Sequence, residues 1–399
     1  MKKILLLLIF GMCLCGCSTE SKDDVVNDFV KTVDNLKSYK LEGVMEISND
    51  EETFSYNLES YYLKDDSYKV ILVNQTNNHE QIILKTKGDV YVITPSLNKS
   101  FKFQSEWPNN SSQAYLLGNL KNDIKNDAKK EINEKDNGYV IKTGVNYPNN
   151  EDLKYQKIYL NDKKCVEKVE VFNNNDIVKI KVTFNKVDLK ANLDEKDFSL
   201  DKYIKENELK NTDVEQDCKG DASCENTTDK KPANDKNPTN ESDTNKNDTD
   251  INNKENSPAD TDGNATNDDS KKETASNNTQ NTSIIENIIY PLYIPSNTYL
   301  TNSETIEGAS GNRIILTFSG EKNFVLIEEA SVAKKEMEVI QVYGEPLMLS
   351  ETIGALSANS LSWDANNVSY YLASTELSVN EMLSIANSLG NTTLVNSVK

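Results

Sequence analysis

Gly88-Asp89-Val90-Tyr91-Val92-Ile93-Thr94-Pro95-Ser96-Leu97-Asn98-Lys99-Ser100-Phe101-Lys102-Phe103 is the stretch whose reading decides the fold. Gly88-Asp89 reads as a turn. Val90 to Ile93 is a β-branched and aromatic run of strand length, and Phe101 and Phe103 open a further strand. Outward from it the same period of two repeats. Tyr39, Leu41, Met45 and Ile47 alternate with polar partners, and Phe54, Tyr56, Leu58 and Tyr62 do so after the Ser48-Asn49-Asp50 turn. Tyr68 to Val73 and Ile82 to Leu84 follow. Toward the carboxyl end, strands are expected at Gly138 to Thr143, Tyr155 to Leu160, Val166 to Phe172 and Val178 to Phe184. Asp162-Lys163-Lys164 and Asn173-Asn174-Asn175 serve as hairpin turns.

Two helices interrupt this meander. Val26, Phe29, Val30, Val33 and Leu36 repeat at three- and four-residue spacing behind a cap at Ser21 or Asp23. Gln113 to Lys125 places Leu116, Leu117, Leu120 and Ile124 on one side. One face of the sheet is apolar and must be covered, so the fold class is α+β: a curved antiparallel half-barrel with helices on its concave face.

Composition divides the chain into a signal at 1–16, a first domain at 17–205, a linker at 206–283 and a small carboxyl-terminal α+β domain at 284–399. Residues 206–283 hold 19 acidic and 9 basic side chains among Asn, Asp, Thr, Lys and Ser. With almost nothing apolar to bury, this segment is expected to be disordered and extended. In the last domain, Arg313 to Gly320, Phe324 to Glu329 and Val368 to Ser374 read as strands of a four- or five-strand sheet. A closing helix at 378–389 is capped by Ser378 with Glu381 at the capping-box position, and Trp363 reads as core.

Met1-Lys2-Lys3 followed by the apolar run Ile4 to Phe10 has the form of a secretory signal, too short for a stable membrane span. Leu14-Cys15-Gly16-Cys17 resembles a bacterial lipobox. That reading cuts the chain before Cys17 and puts diacylglycerol on its thiol, with an ordinary signal and a coincidental cysteine as the alternative. Export leaves Cys165, Cys218 and Cys224. The last two either close a small disulfide or remain thiols.

The function classes narrow accordingly. The chain has one histidine, His79, in the polar stretch Thr76 to Glu80, read as a surface hairpin turn. A triad would have to use it, and a histidine-rich metal site is impossible; no catalytic residue, cofactor or metal is expected. A net charge of -20 disfavours nucleic acid as a partner.

The helix, the long meander and the inserted helix resemble the LolA/LolB/RseB-like half-barrel fold. Val90 to Phe103, with Trp107-Pro108-Asn109-Asn110-Ser111-Ser112-Gln113-Ala114-Tyr115-Leu116-Leu117, is similar to the GerS-like germination lipoproteins of spore-forming clostridia. The last domain, through Tyr290 to Ser296, Arg313 to Gly320 and Leu361-Ser362-Trp363, resembles a module at the carboxyl end of anti-sigma-like and RseB-like extracytoplasmic proteins. It is a departure from single-domain GerS. The GerS resemblance implies a non-enzymatic lipoprotein on the extracytoplasmic face of a membrane, which binds and licenses a spore cortex amidase making muramic-δ-lactam. Trp107, Pro108 and Tyr115 are its candidate binding surface, with packing over the open end of the half-barrel as the other reading of Trp107. The LolA resemblance implies instead an acyl lipid or lipoprotein carried on the concave face, lined by residues such as Tyr56, Leu58, Val70 and Leu72 unless these only fill the core. The RseB resemblance implies an envelope sensor acting on an anti-sigma factor.

Overall fold

The computed structural model describes residues 21–49, 52–203, 284–308 and 311–389. Cys17, Cys218, Cys224 and the expected signal and linker lie outside the described residues.

The chain opens with α1 (Lys22–Asp34). Ser21 caps it, and Asp24 completes a capping box by accepting from the Ser21 backbone N–H at 3.1 Å. Its buried Val25, Val26 and Phe29 each contribute about 1.5–3 kcal/mol by leaving water. Six strands follow: β1 (Ser38–Ser48), β2 (Thr53–Leu63), β3 (Ser67–Asn74), β4 (Glu80–Thr86), β5 (Asp89–Thr94) and β6 (Lys99–Phe103). After α2 (Leu117–Asn126) come β7 (Glu131–Lys135), β8 (Gly138–Gly144), β9 (Leu153–Leu160), β10 (Val166–Asn173) and β11 (Val178–Asp188). The strands pair in an open sheet in which β1 meets both β2 and β11. Gly43 sits where the β1–β11 register slips, and a Cβ there would collide with the Thr183 carbonyl.

The alternation works as the sequence predicts. Leu41, Met45, Leu58, Val70, Leu72, Val92, Ile158 and Val182 face α1 and α2 across one continuous core. On the opposite face Ile82, Leu84, Tyr91 and Ile93 are covered by Phe198 and Tyr203, from the segment that leaves β11. The inserted helix starts later than its apolar spacing suggests, at Leu117, because the residues before it form a loop pinned to α2. β7 carries almost no apolar side chain, so it left no periodic signal.

The second domain contains β12 (Thr298–Gly308), β13 (Gly311–Gly320), β14 (Phe324–Ala330), β15 (Glu338–Val342), β16 (Gly344–Met348), β17 (Ile353–Ser357), β18 (Ser360–Ala365), β19 (Val368–Ala373) and α3 (Val379–Asn387). Seven of these strands form one antiparallel sheet, larger than the four or five expected. Met382, Leu383, Ile385 and Ala386 of α3 pack on its inner face, and the Ser378–Glu381 capping box is present. Trp363 is in this core, 2 % exposed and stacked on Tyr370 at 5.0 Å.

The division at 284 does not separate two independent bodies, as a domain on a long leash would require. β15 leaves its own sheet and pairs in parallel with β6, so the first domain's sheet has twelve strands. Polar contacts reinforce the seam. Gln81 accepts from the Ile353 N–H at 2.6 Å and donates to its carbonyl at 3.2 Å. Tyr56 donates to the Ser350 carbonyl at 2.5 Å. Lys99 pairs with Asp364 at 2.9 Å, their side chains only 16 % and 3 % exposed. His79 is half-buried rather than on the surface. Burial lowers its pKa, and its Nε2 meets no hydrogen-bond partner.

One buried acid makes stability depend on pH. Glu328 on β14 is fully buried in the second domain; its Oε2 accepts from the Ile289 N–H at 3.1 Å, and Oε1 has no partner. Burial pushes its pKa up from 4.5 to about 7. A raised carboxyl pKa means that the folded state holds the proton more tightly. The associated stability is complete below about pH 4.5 and is lost as the pH rises through about 7. Glu328→Gln is therefore expected to raise the unfolding free energy at pH 8 by about 2–3 kcal/mol and to leave it nearly unchanged at pH 4. Urea melts at the two pH values check this; equal effects at both would contradict it.

Candidate functional site

A cleft of about 690 Å³ opens between the helix-bearing face of the first sheet and the second domain. Its first-domain wall includes Ile47, Ile83, Trp107, Tyr115, Leu153 and Ile180, and its second-domain wall Leu347, Leu349, Ile353 and Leu383. Uncharged amides and hydroxyls, among them Asn49, Asn150, Asn380 and Asn387, complete the lining. Volume, apolar walls and a few placed polar groups are those of a small-ligand or apolar-segment site.

The Trp107 side of the cleft is built by the loop between β6 and α2. Asn119, on the buried side of α2, donates to the Pro108 carbonyl at 2.6 Å and to the Ser111 carbonyl at 2.7 Å. The Trp107 N–H donates to Ser105 Oγ at 3.0 Å, and the Trp107–Pro108 peptide is cis. The indole meets Tyr68 edge-on at 6.2 Å, and Tyr68 continues through Tyr62 to Tyr39 in a chain of ring contacts. Tyr115 donates to Gln113 Oε1 at 2.6 Å, and burial raises its pKa. Beneath the loop, Asp123 of α2 accepts from Ser112 Oγ at 2.9 Å and Gln156 Nε2 at 2.7 Å. Burial outweighs these bonds and pushes the Asp123 pKa up to about 6.

On the opposite wall, the Ser350 N–H donates to Asn387 Oδ1 at 2.9 Å, tying the β16–β17 connection to α3. At the rim Glu345 accepts from Asn110 at 2.5 Å, so this carboxylate is already engaged across the seam. Leu292 and Tyr293, from the segment leading into β12, stand at the mouth.

The residues singled out from sequence fall in two places. Trp107, Pro108 and Tyr115 come together, but inside: Trp107 is 3 % and Tyr115 5 % exposed and Pro108 is buried. They are therefore not an exposed aromatic anchor; Trp107 and Tyr115 reach the surface only as cleft wall. Tyr56, Leu58, Val70 and Leu72 fill the core and do not line the cleft. The second-domain wall was not anticipated. Its only trace in the sequence is the apolar run Leu347-Met348-Leu349, which gives no hint of a partner some 200 residues away. Among the described residues no group of three or more His, Cys, Asp or Glu side chains is placed to hold a metal, and no helix is long and apolar enough to cross a membrane.

Comparison with known proteins places the chain. Among solved structures it is similar to the Pseudomonas aeruginosa MucA/MucB complex, at 9 % identity over 91 % of this chain and 97 % of that one, with a TM-score of 0.29. It is also similar to the GerS lipoprotein complex with the CwlD amidase from Clostridioides difficile, at 21 % identity over 42 % of this chain and 94 % of that one, TM-score 0.26. A LolA superfamily protein from Nitrosomonas europaea matches at 10 % identity over 44 % of this chain and 98 % of that one, TM-score 0.27. Sequence gives a firmer result. Residues 1–198 match the model of the sporulation protein YdcC-like family. The sporulation protein YdcC of Bacillus subtilis (strain 168) is 32 % identical over 393 residues, covering 97 % of each chain. With that identity running through both domains, the chain belongs to the sporulation protein YdcC-like family.

Proposed function

We propose that this sporulation protein is a non-enzymatic lipoprotein, held by diacylglycerol on Cys17 at the extracytoplasmic face of a membrane, that binds and licenses a peptidoglycan amidase of the spore cortex. The observation that supports a binding role is the cleft. Its walls come from both domains, so an occupant engages both at once, and its lining is apolar and amide rather than acid and base. In this reading the amidase brings the hydrolytic groups and the lipoprotein brings position.

Crosslinking in sporulating cells followed by purification tests the reading: a cortex amidase among the captured proteins is expected. An anti-sigma factor in its place would favour the sensor role that the RseB resemblance implies. Purified protein that hydrolyses peptidoglycan by itself would end the non-enzymatic reading. The apolar walls favour a second occupant, an acyl lipid. Native mass spectrometry of the protein purified without detergent would show it as a discrete added mass removed by organic extraction; a single unliganded species would exclude it.

The tether makes its own prediction. Two or more acyl chains hold a protein far better than one, at about 0.8 kcal/mol per buried methylene. Cys17→Ala is expected to move the folded protein from the membrane to the soluble fraction, and continued membrane retention in washed membranes would contradict the lipid anchor.

A further inference from the structure

The exposed apolar surface of the described residues is concentrated in one place. Of the twelve large hydrophobic side chains that are exposed, seven lie between Ile284 and Leu300. In the same region, Asn287 to Ser303 contains no charged residue, in a chain that is 27 % charged. Scattered exposed hydrophobics need no explanation, but a contiguous uncharged cluster does.

The segment is built to present these side chains. Pro291 and Pro295 are buried, while the three residues between them point outward: Leu292 is 66 %, Tyr293 40 % and Ile294 36 % exposed. Both ends are fastened to the second domain. Asn312, itself 5 % exposed, accepts from the Ile285 N–H at 2.7 Å and donates to its carbonyl at 2.9 Å, and the Ile289 N–H donates to Glu328. Beyond the second proline, the Asn297 carbonyl accepts from the Glu321 N–H at 3.0 Å. Tyr299 and Leu300 then extend the patch along the edge strand β12, at 66 % and 38 % exposure. A loop fixed at both ends and stiffened by two prolines loses little entropy on docking.

We propose that Leu292, Tyr293 and Ile294, with Tyr299 and Leu300, form a surface that seats in the interfacial layer of a lipid bilayer and turns the cleft mouth toward it. Tyrosine with Leu and Ile, free of charge, is the mixture that settles at a membrane–water boundary, where rings bury their faces and hydroxyls stay hydrated. Protein-binding patches keep a polar rim and favour arginine; this segment has neither arginine nor lysine. Continuity with the cleft decides the orientation, since Leu292 and Tyr293 belong both to the patch and to the cleft lining. The inference leans on the proposed function only for the role of the cleft; the surface itself is independent of the Cys17 lipid.

The test therefore uses protein without the lipid. The chain expressed from Ser18 onward, which keeps every described residue, is floated with vesicles of phosphatidylcholine alone and of phosphatidylcholine with phosphatidylglycerol. Flotation with both vesicles, insensitive to salt, is expected. Leu292→Asp combined with Ile294→Asp should reduce it at least tenfold with an unchanged melting curve. Tyr299→Ser with Leu300→Ser, on the neighbouring strand, should reduce it independently of the first pair. Failure of the parent chain to float, flotation of either variant at the parental level, or a concentration-dependent dimer that the variants abolish would each overturn the proposal. The anchor reading would survive any of these results, because Cys17→Ala fractionation tests it separately.

Discussion

Trp107→Ala is expected to destabilise the protein by about 3–5 kcal/mol, the cost of removing a large aromatic side chain from a packed interior. The indole is 3 % exposed and is the last member of the ring chain that runs through Tyr68 and Tyr62. Alanine leaves a void on one side and deepens the cleft on the other, so the neighbours have little to collapse upon. Trp107→Phe keeps a ring against Tyr68 and should cost less than half as much. Chemical denaturation of the three proteins reads the difference directly. A Trp107→Ala loss below about 1 kcal/mol, the scale of an ordinary surface change, would mean that the loop does not form the cleft wall.

The second large effect concerns the seam. Lys99→Met is expected to cost about 3 kcal/mol, because removing one partner of a buried ion pair leaves the other charge uncompensated. Asp364 is the exposed cost: its side chain is 3 % accessible and its Oδ2 already lacks a partner. The loss sits at the low end of the usual range because Ser369, at 2.5 Å, and Ser331, at 3.4 Å, still donate to Oδ1. The double variant Lys99→Met with Asp364→Asn should recover most of the loss, and the coupling follows from the cycle of four proteins. Since the pair bridges β6 and β18, Lys99→Met should also make the second domain more sensitive to limited proteolysis. Additive single effects would show that the pair does not hold the two domains together.

Local structure was legible in the sequence wherever one face meets a core. The period of two predicted β1, β2 and β8 to β11. Ser21 and Ser378 marked the helix starts through their capping partners, and Trp363 lies in the core expected for it. What could not be read was pairing at long range. Glu338 to Val342 is a short segment with mostly exposed side chains, and nothing in its composition points to Lys99 to Phe103 as its neighbour. The seam and the second cleft wall follow from that one pairing, so they were invisible for the same reason. His79 was misread because polar neighbours in a turn suggest solvent, whereas the second domain covers it. Trp107 and Tyr115 were placed near the correct loop, yet their burial depends on Asn119 holding that loop inward, a tertiary bond that local spacing does not encode.

The central claim is that the protein acts in sporulation by binding and licensing an amidase of the spore cortex. The most direct test is the muropeptide composition of cortex from spores formed without it. Cortex lacking muramic-δ-lactam, restored by the intact gene, is the predicted result; cortex with a normal muramic-δ-lactam content would contradict the account.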